Sequence, residues 1–324
     1  MDIVADSELQ AVDGRNILQQ VTAPVNPVNW ATQRKDRIKN ILHTEGALVI
    51  RGLRFHSTRQ FGQFLEELFE QNLAEYKYRS TPRTTVGNNV YTATEYHPSV
   101  TIPQHNESSY SNAWAMRIGF FCMTPPAPGM GATPLADSRQ VLARIPRDVI
   151  ERFENKKLQY VRNYGSIDLP WSEVFQTDSR KEVELFCADH GISTEWIGTD
   201  GLRTKQVTPA VETHPVTGER VWFNQAHLFH ISGLSEDVAR DLKSIYREED
   251  LPRNVYFGDG SAIPSEDLDA IRTAYDEVKF HFDWQKNDIV LLDNMLYTHG
   301  RQPYTGERKI LVGMAATYQR EALK

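Results

Sequence analysis

The chain has 324 residues, of which 40% are hydrophobic and 24% charged, enough apolar sequence for a sizeable core and unlike low-complexity or disordered chains. With 36 Lys plus Arg against 43 Asp plus Glu, the net charge of −7 gives no bulk attraction to phosphate backbones and argues against a nucleic-acid partner. Two cysteines, Cys122 and Cys187, both in apolar surroundings, exclude a disulfide framework and a Cys-rich zinc site and read as buried thiols in a reducing compartment.

In chain order, residues 1–30 hold no strong periodicity and read as an N-terminal arm ahead of a single domain over 31–324. Helical spacing over 31–43 precedes the short apolar run Ala47-Leu48-Val49-Ile50, a buried strand. Ser57-Thr58-Arg59-Gln60 fits a capping box, and Phe61, Phe64, Leu65, Leu68 and Phe69 then recur as the apolar face of a helix. Strand patterns occupy 115–123, 158–164 and 205–214 and, past the Pro215–Gly218 turn, 219–224. Helices are expected near 147–156, 178–189 and 235–249, the last capped by Ser235 with Glu236 and Asp237 in its first turn. Another opens at Pro264, with Leu268, Ile271 and Tyr275 on its apolar face. Strands return at 278–282, 288–293 and 308–316. The pattern is α+β, mainly β, and points to a sandwich or barrel with helices on the outside. The acidic N-terminus lacks the basic and apolar regions of a signal peptide, and no run approaches the ~18 apolar residues of a membrane helix, so the expectation is a soluble, cytoplasmic protein with no membrane partner.

Three segments carry chemistry. In Gln104-His105-Asn106-Glu107, an extended backbone points His105 and Glu107 to one face, where an imidazole and a carboxylate can chelate one metal. The run Asp288–Asn294 continues into Met295–Arg301 and delivers His299 beyond a buried strand. In Gly306–Gly313, Arg308 enters a strand that can fold back beside His299, through the turn residues Pro303, Thr305 and Gly306. Two His and a carboxylate on one face of an octahedron make the non-haem iron(II) oxygenase arrangement, which leaves positions for a bidentate 2-oxo acid and for dioxygen. The far carboxylate of 2-oxoglutarate then needs a cation, and Arg offers a planar fork of donors that stays charged. Arg308 is placed for this, and Thr133 in Gly129–Thr133 can add a hydroxyl.

His105-Asn106-Glu107, Gly131-Ala132-Thr133-Pro134-Leu135-Ala136-Asp137 and the stretch from His299 to Arg308 resemble the iron(II)/2-oxoglutarate-dependent dioxygenases of the taurine dioxygenase (TauD/TfdA) family, in motif order over roughly residues 40–320. Phe223–His227, Pro252–Gly260 and Leu292-Asp293-Asn294 resemble a branch tied to bacterial nonribosomal peptide pathways, whose members hydroxylate amino-acid units. The resemblance implies a double-stranded β-helix (jelly roll) with surrounding helices. It implies His105, Glu107 and His299 as iron ligands, Thr133 and Arg308 as 2-oxoglutarate contacts, and dioxygen as the second cosubstrate. Taurine dioxygenase proper has Asp where this chain has Glu107, so the metal role carries over and the sulfonate substrate does not.

The implied activity is hydroxylation of an unactivated C–H bond in an amino acid or derivative, free or tethered to a peptidyl carrier protein, with release of succinate and CO2. Desaturation, epoxidation or cyclisation of a small natural-product intermediate would use the same site. A zinc hydrolase, and a jelly-roll binding protein without turnover, are the readings from other classes. Glu95, Tyr96, Ser108 and Tyr110 flank the metal motif as substrate-side candidates, Glu95 as partner of a substrate amine, and Asn224 is a further pocket candidate. His227 and His230, with no carboxylate at matching spacing, read as structural or pocket-lining.

Overall fold

The computed structural model describes residues 8–75, 78, 81, 83–165 and 168–320. An eight-stranded sheet runs in the order Gln10–Val12, Arg15–Gln20, Ala47–Arg51, Ile289–Asp293, Ala113–Thr124, Lys309–Gln319, Val90–Thr92, Thr85–Gly87. Facing it is a three-stranded sheet in which Tyr297–Arg301 lies between Ile102–His105 and Leu135–Asp137. These two sheets form the jelly roll.

The central strands are buried on both faces, and their period-2 alternation separates two cores. Val49, Phe120, Val290, Leu292, Ile310 and Val312 point inward, where they meet Leu135 and Tyr297 of the small sheet. Leu48, Ile50, Phe121, Leu291 and Leu311 point outward against two helices, Pro27–Thr44 and Thr58–Phe69. The expected capping box opens the second helix, since Ser57 Oγ accepts from the Gln60 N–H at 3.1 Å. Its reciprocal arm lands one residue upstream, where the Gln60 amide oxygen accepts from the His56 N–H at 2.9 Å. Leu65 from this helix sits over Gly119 and Gly313, which are register partners. A Cβ on Gly119 would stand 2.4 Å from Leu65 Cδ2, so the close approach of helix to sheet requires glycine there.

A four-stranded antiparallel sheet, in the order Ile192–Ile197, Gly201–Thr208, Leu158–Tyr164, Arg253–Phe257, forms a third unit. Its core joins Phe153, Trp222, Phe257, Leu268 and Ile271 from flanking helices and strands. The helices expected near 147–156 and 178–189 appear as Arg147–Lys156 and Arg180–Asp189.

Five segments differ from the sequence reading, one of them the strand placed at 205–214, which breaks at Pro209-Ala210 into Gly201–Thr208 and Val211–Thr213 of two different sheets. Residues 10–20, read within an arm, form a hairpin whose second strand pairs in parallel with Ala47–Arg51, because Ile17 and Leu18 bury on the edge of the large sheet. The first helix starts at Pro27 rather than 31, since Pro is suited to N1 and Asn26 caps the Val28 and Asn29 N–H groups. The helix placed at 235–249 spans Glu236–Ile245, and Ser235 stands at its N-cap without a side-chain cap bond. The strand placed at 278–282 is instead the end of helix Ser265–Val278, followed by one bridge between Phe280 and Leu135. No described helix is long and apolar enough to cross a membrane.

Candidate active site

The two histidines face each other across the small sheet, where His299 on Tyr297–Arg301 is the register partner of His105 on Ile102–His105. The extended stretch assumed for the metal motif ends at His105, and Glu107 opens the following turn. The carboxylate still swings back to the imidazoles. One ligand atom from each of His105, Glu107 and His299 falls within 4.8 Å of the others, and all three residues are buried. Glu107 Oε2 lies 3.6 Å from His299 Nε2 and 4.0 Å from His105 Nε2. His105 Nδ1 sits 2.8 Å from the Pro103 carbonyl, which can only accept, so the proton is on Nδ1 and the Nε2 lone pair faces Glu107. This donor set fits a divalent iron.

What holds Glu107 in place comes from distant sequence. The Asn294 side chain accepts from the Glu107 N–H at 2.7 Å and donates to the Glu107 and Ala115 carbonyls, both at 2.9 Å. Asn106 donates to the Asn294 carbonyl at 2.6 Å and to Ser138 Oγ at 3.1 Å, and Gln225 donates to the Asn106 carbonyl at 2.8 Å. The turn bearing Asn294 is itself set by Asp293, which accepts from the Met295 and Leu296 N–H groups and pairs with His214 and Arg117. Leu292-Asp293-Asn294 stood out in the sequence only as a resemblance, and nothing local showed that its side chains splint the metal motif.

Arg83 was missed altogether. Its Nη2 donates to Glu107 Oε2 at 2.6 Å. Burial pushes the Glu107 carboxyl up, but Arg83 and the nearby His299 and His105 outweigh it and hold it well below the usual carboxylate range. Burial, reinforced by His299, pushes His105 down to about 4, so it stays neutral, as a metal ligand must.

A cavity runs from His105 and His299 past Phe120 and Thr94 to Thr133 and Arg308. Arg308 immediately precedes strand Lys309–Gln319, while Lys309 is exposed. Arg308 Nε donates to the Gly131 carbonyl at 2.9 Å and Nη2 to Thr133 Oγ1 at 3.1 Å. Thr133 Oγ1 also accepts from Trp284 Nε1 at 3.0 Å. With both lone pairs taken, the Thr133 hydroxyl is left to donate its own proton to an incoming acceptor. Gly131 has φ +58, and a Cβ there would stand 2.8 Å from Pro126 and 3.1 Å from Arg308 Cδ, so glycine is what lets this loop close over the guanidinium. Burial, then the charge of Arg301, hold Arg308 down to about 10. Arg301 lines the same cavity but donates to the carbonyls of Thr94, Tyr96, His97 and Val100, tying down that loop.

The substrate-side candidates are not brought together. Glu95 is exposed, and its carboxylate accepts from Thr92 Oγ1 at 2.8 Å and Thr84 Oγ1 at 3.2 Å. Tyr96 is half-buried beside Arg301. Ser108, at φ +58, lines a separate cleft with Tyr78, Ser111 and His190. Tyr110 is a core residue whose hydroxyl donates to the Tyr78 carbonyl at 3.0 Å. Asn224 is fully buried away from the cavity; it donates to the Ala210 carbonyl and accepts from the Ala226 N–H, splinting a turn. His227 pairs with the Gln104 carbonyl at 2.9 Å and packs on Tyr275, the structural role expected of it.

The family model of the taurine catabolism dioxygenase TauD, TfdA family matches residues 14–315. The chain is 38% identical over 278 residues to the dapdiamide synthesis protein DdaC of Enterobacter agglomerans, covering 86% of this chain and 84% of that one. It is 28% identical over 292 residues to a clavaminate synthase-like protein of Arabidopsis thaliana, covering 87% and 84%. Among solved structures, PvcB of Pseudomonas aeruginosa superposes with a TM-score of 0.54 at 14% identity, over 98% of this chain and 91% of that one. An asparagine oxygenase does so with a TM-score of 0.54 at 11% identity, over 89% and 82%. Both likenesses are of fold.

Proposed function

This chain belongs to the taurine catabolism dioxygenase TauD, TfdA family and is an iron(II)- and 2-oxoglutarate-dependent dioxygenase, and from that premise we propose that His105, Glu107 and His299 hold the iron and that Thr133 and Arg308 hold the far carboxylate of 2-oxoglutarate. The observation that carries the assignment is one cavity with a buried His/Glu/His donor set at one end and a half-buried guanidinium, without a carboxylate partner among the described residues, at the other. The iron, with 2-oxoglutarate and dioxygen, supplies the chemistry that oxidises an unactivated C–H bond and releases succinate and CO2.

The protein's own contribution is placement. Asn294 and Asn106 keep Glu107 and the two imidazoles on one face, and Pro103 keeps His105 Nε2 unprotonated for the metal. Arg308 and the free Thr133 proton set the depth to which the oxo acid enters. Phe120, packed on His299 with ring centroids 5.0 Å apart, helps to keep that wall dry.

The substrate in this proposal is a small amino acid or amino-acid derivative, hydroxylated either free or tethered to a peptidyl carrier protein. The support is the similarity to DdaC, a protein of dapdiamide synthesis, together with Glu107 in place of the Asp of taurine dioxygenase itself. The proposal keeps residues 31–324 as one catalytic domain, with the arm before it lending the two strands of a hairpin to the sheet. It also places the enzyme in the cytoplasm, consistent with two free, buried cysteines.

The test is anaerobic titration with Fe(II) and 2-oxoglutarate, followed by a panel of free amino acids, their carrier-protein thioesters and taurine, scored by succinate release and product mass. The expected outcome is turnover of an amino-acid substrate with a mass gain of one oxygen. Turnover of taurine or an aryloxyacetate without any amino-acid turnover overturns the substrate class. A product that has lost two hydrogens assigns desaturation or cyclisation in place of hydroxylation.

A further inference from the structure

One carboxylate oxygen at the donor end has two cationic claimants. Glu107 Oε2 is the oxygen that faces both imidazole nitrogens, and the same atom accepts from Arg83 Nη2 at 2.6 Å. The Arg83 and Glu107 side chains are 3% and 4% exposed, so water screens neither charge. Two ligands at neighbouring corners of an octahedron, each about 2.1 Å from the ion, stand about 3 Å apart. Glu107 Oε2 is 3.6 and 4.0 Å from the two nitrogens, and at full hydrogen-bonding distance from Arg83. To close on an ion, Oε2 and the imidazole nitrogens have to draw closer together, and the lone pairs of Oε2 are then shared between the ion and the guanidinium. Arg83 does not keep its hydrogen bond without bringing a positive charge up against a divalent cation. Room to move exists, because Arg83 also lines the cavity that leads to Thr133 and Arg308.

We infer that Arg83 is a positioning residue that competes with the divalent metal for Glu107 Oε2: it neutralises the buried carboxylate until metal arrives, and thereby limits how tightly the metal is held. This rests on the assignment of His105, Glu107 and His299 as the metal site. It predicts opposite effects on two quantities that a purely structural arginine would move together. Removing Arg83 leaves a buried carboxylate without this partner and destabilises the metal-free fold. The same change removes a competing charge and tightens metal binding.

The experiment is anaerobic calorimetric titration of Co(II) into metal-free protein without 2-oxoglutarate, for the wild type, Arg83→Gln and Arg83→Lys, beside thermal unfolding of the metal-free forms. Arg83→Gln is expected to bind Co(II) about tenfold tighter and to melt lower. Arg83→Lys, a point charge that pairs less well with a carboxylate, is expected to bind about two- to threefold tighter. It decides the matter if Arg83→Gln does not fold. Metal binding in the variants that is equal to or weaker than wild type overturns the competition and leaves Arg83 a mere support for Glu107. A wild-type protein that binds no Co(II), or whose binding survives His105→Ala and His299→Ala, overturns instead the metal-site assignment itself.

Discussion

The two ends of the cavity are built on different plans. At the donor end every element is splinted: Glu107 is gripped at both backbone groups by Asn294, and its charge is matched by Arg83. At the Arg308 end the geometry is set by three hydrogen bonds around Thr133 and Gly131, and the charge is left unbalanced. Among the described residues Arg308 has no carboxylate partner, and Arg301 adds further positive charge nearby. One end is neutral and organised from within; the other is organised but keeps an excess charge for its ligand. Damage at the first end should therefore unfold the protein as well as silence it, whereas damage at the second should cost ligand affinity alone.

The sharpest way to break that contrast is Asn294→Ala. It strips partners from the Glu107 N–H and from two buried carbonyls, and is expected to cost at least about 3 kcal/mol in denaturant unfolding and to abolish stoichiometric metal binding. A variant that keeps wild-type stability would show the donor end to be no more splinted than the other.

Arg308→Met is the counterpart. Loss of one partner of a buried charge pair costs about 2–5 kcal/mol, so the 2-oxoglutarate KM should rise at least ~30-fold. The ligand-free protein should melt no lower than wild type, because a half-buried cation without an acid is replaced by an apolar side chain. Arg308→Lys should recover part of the affinity, and Lys309→Ala, at an exposed position, should stay within about twofold. A clear fall in melting temperature for Arg308→Met would erase the distinction.

The pH dependence of stability tests the donor end from behind. Burial holds His227 down to about 4, below the ordinary 6.5, while its ring pairs with the carbonyl just before His105. The unfolded chain takes up this proton near 6.5 and the folded chain only near 4. The contribution is therefore fully present above about 6.5 and is lost as pH falls through that window, by up to about 1.4 kcal/mol per unit. Melting curves between pH 4 and 7 should fall less steeply for His227→Phe than for the wild type. Equal slopes would mean that His227 is not among the groups that charge on unfolding.

The smallest effect is expected at Trp284. With Trp284→Phe, Thr133 loses one of its two donors and its hydroxyl is less well oriented, so the 2-oxoglutarate KM should rise about three- to tenfold with kcat little changed. A change in kcat alone would place Trp284 in a different role.

Sequence pattern by itself determined the strands and helices whose periodicity reports one-sided or two-sided burial, such as 158–164 and the helix after Ser57. It also pointed to His105, Glu107, His299, Thr133 and Arg308 as candidates by residue type and order, and the structure gathers the first three within reach of one ion and sets Thr133 and Arg308 in the cavity beside them. Metal ligands and a carboxylate-binding Arg need particular functional groups, and those are visible without coordinates. Tertiary structure alone decided who supports them. Arg83 and Glu107 are 24 residues apart, Asn294 and Glu107 187 apart, and Trp284 and Thr133 151 apart. Side chains that meet across sheets leave no local period or spacing. It also decided which neighbours were bystanders. Tyr110 follows the metal motif and Asn224 lies within Phe223–His227, yet the chain turns both into the core. Glu95 turns outward to Thr84 and Thr92, because adjacency along a chain does not fix the direction in which a turn presents its side chains.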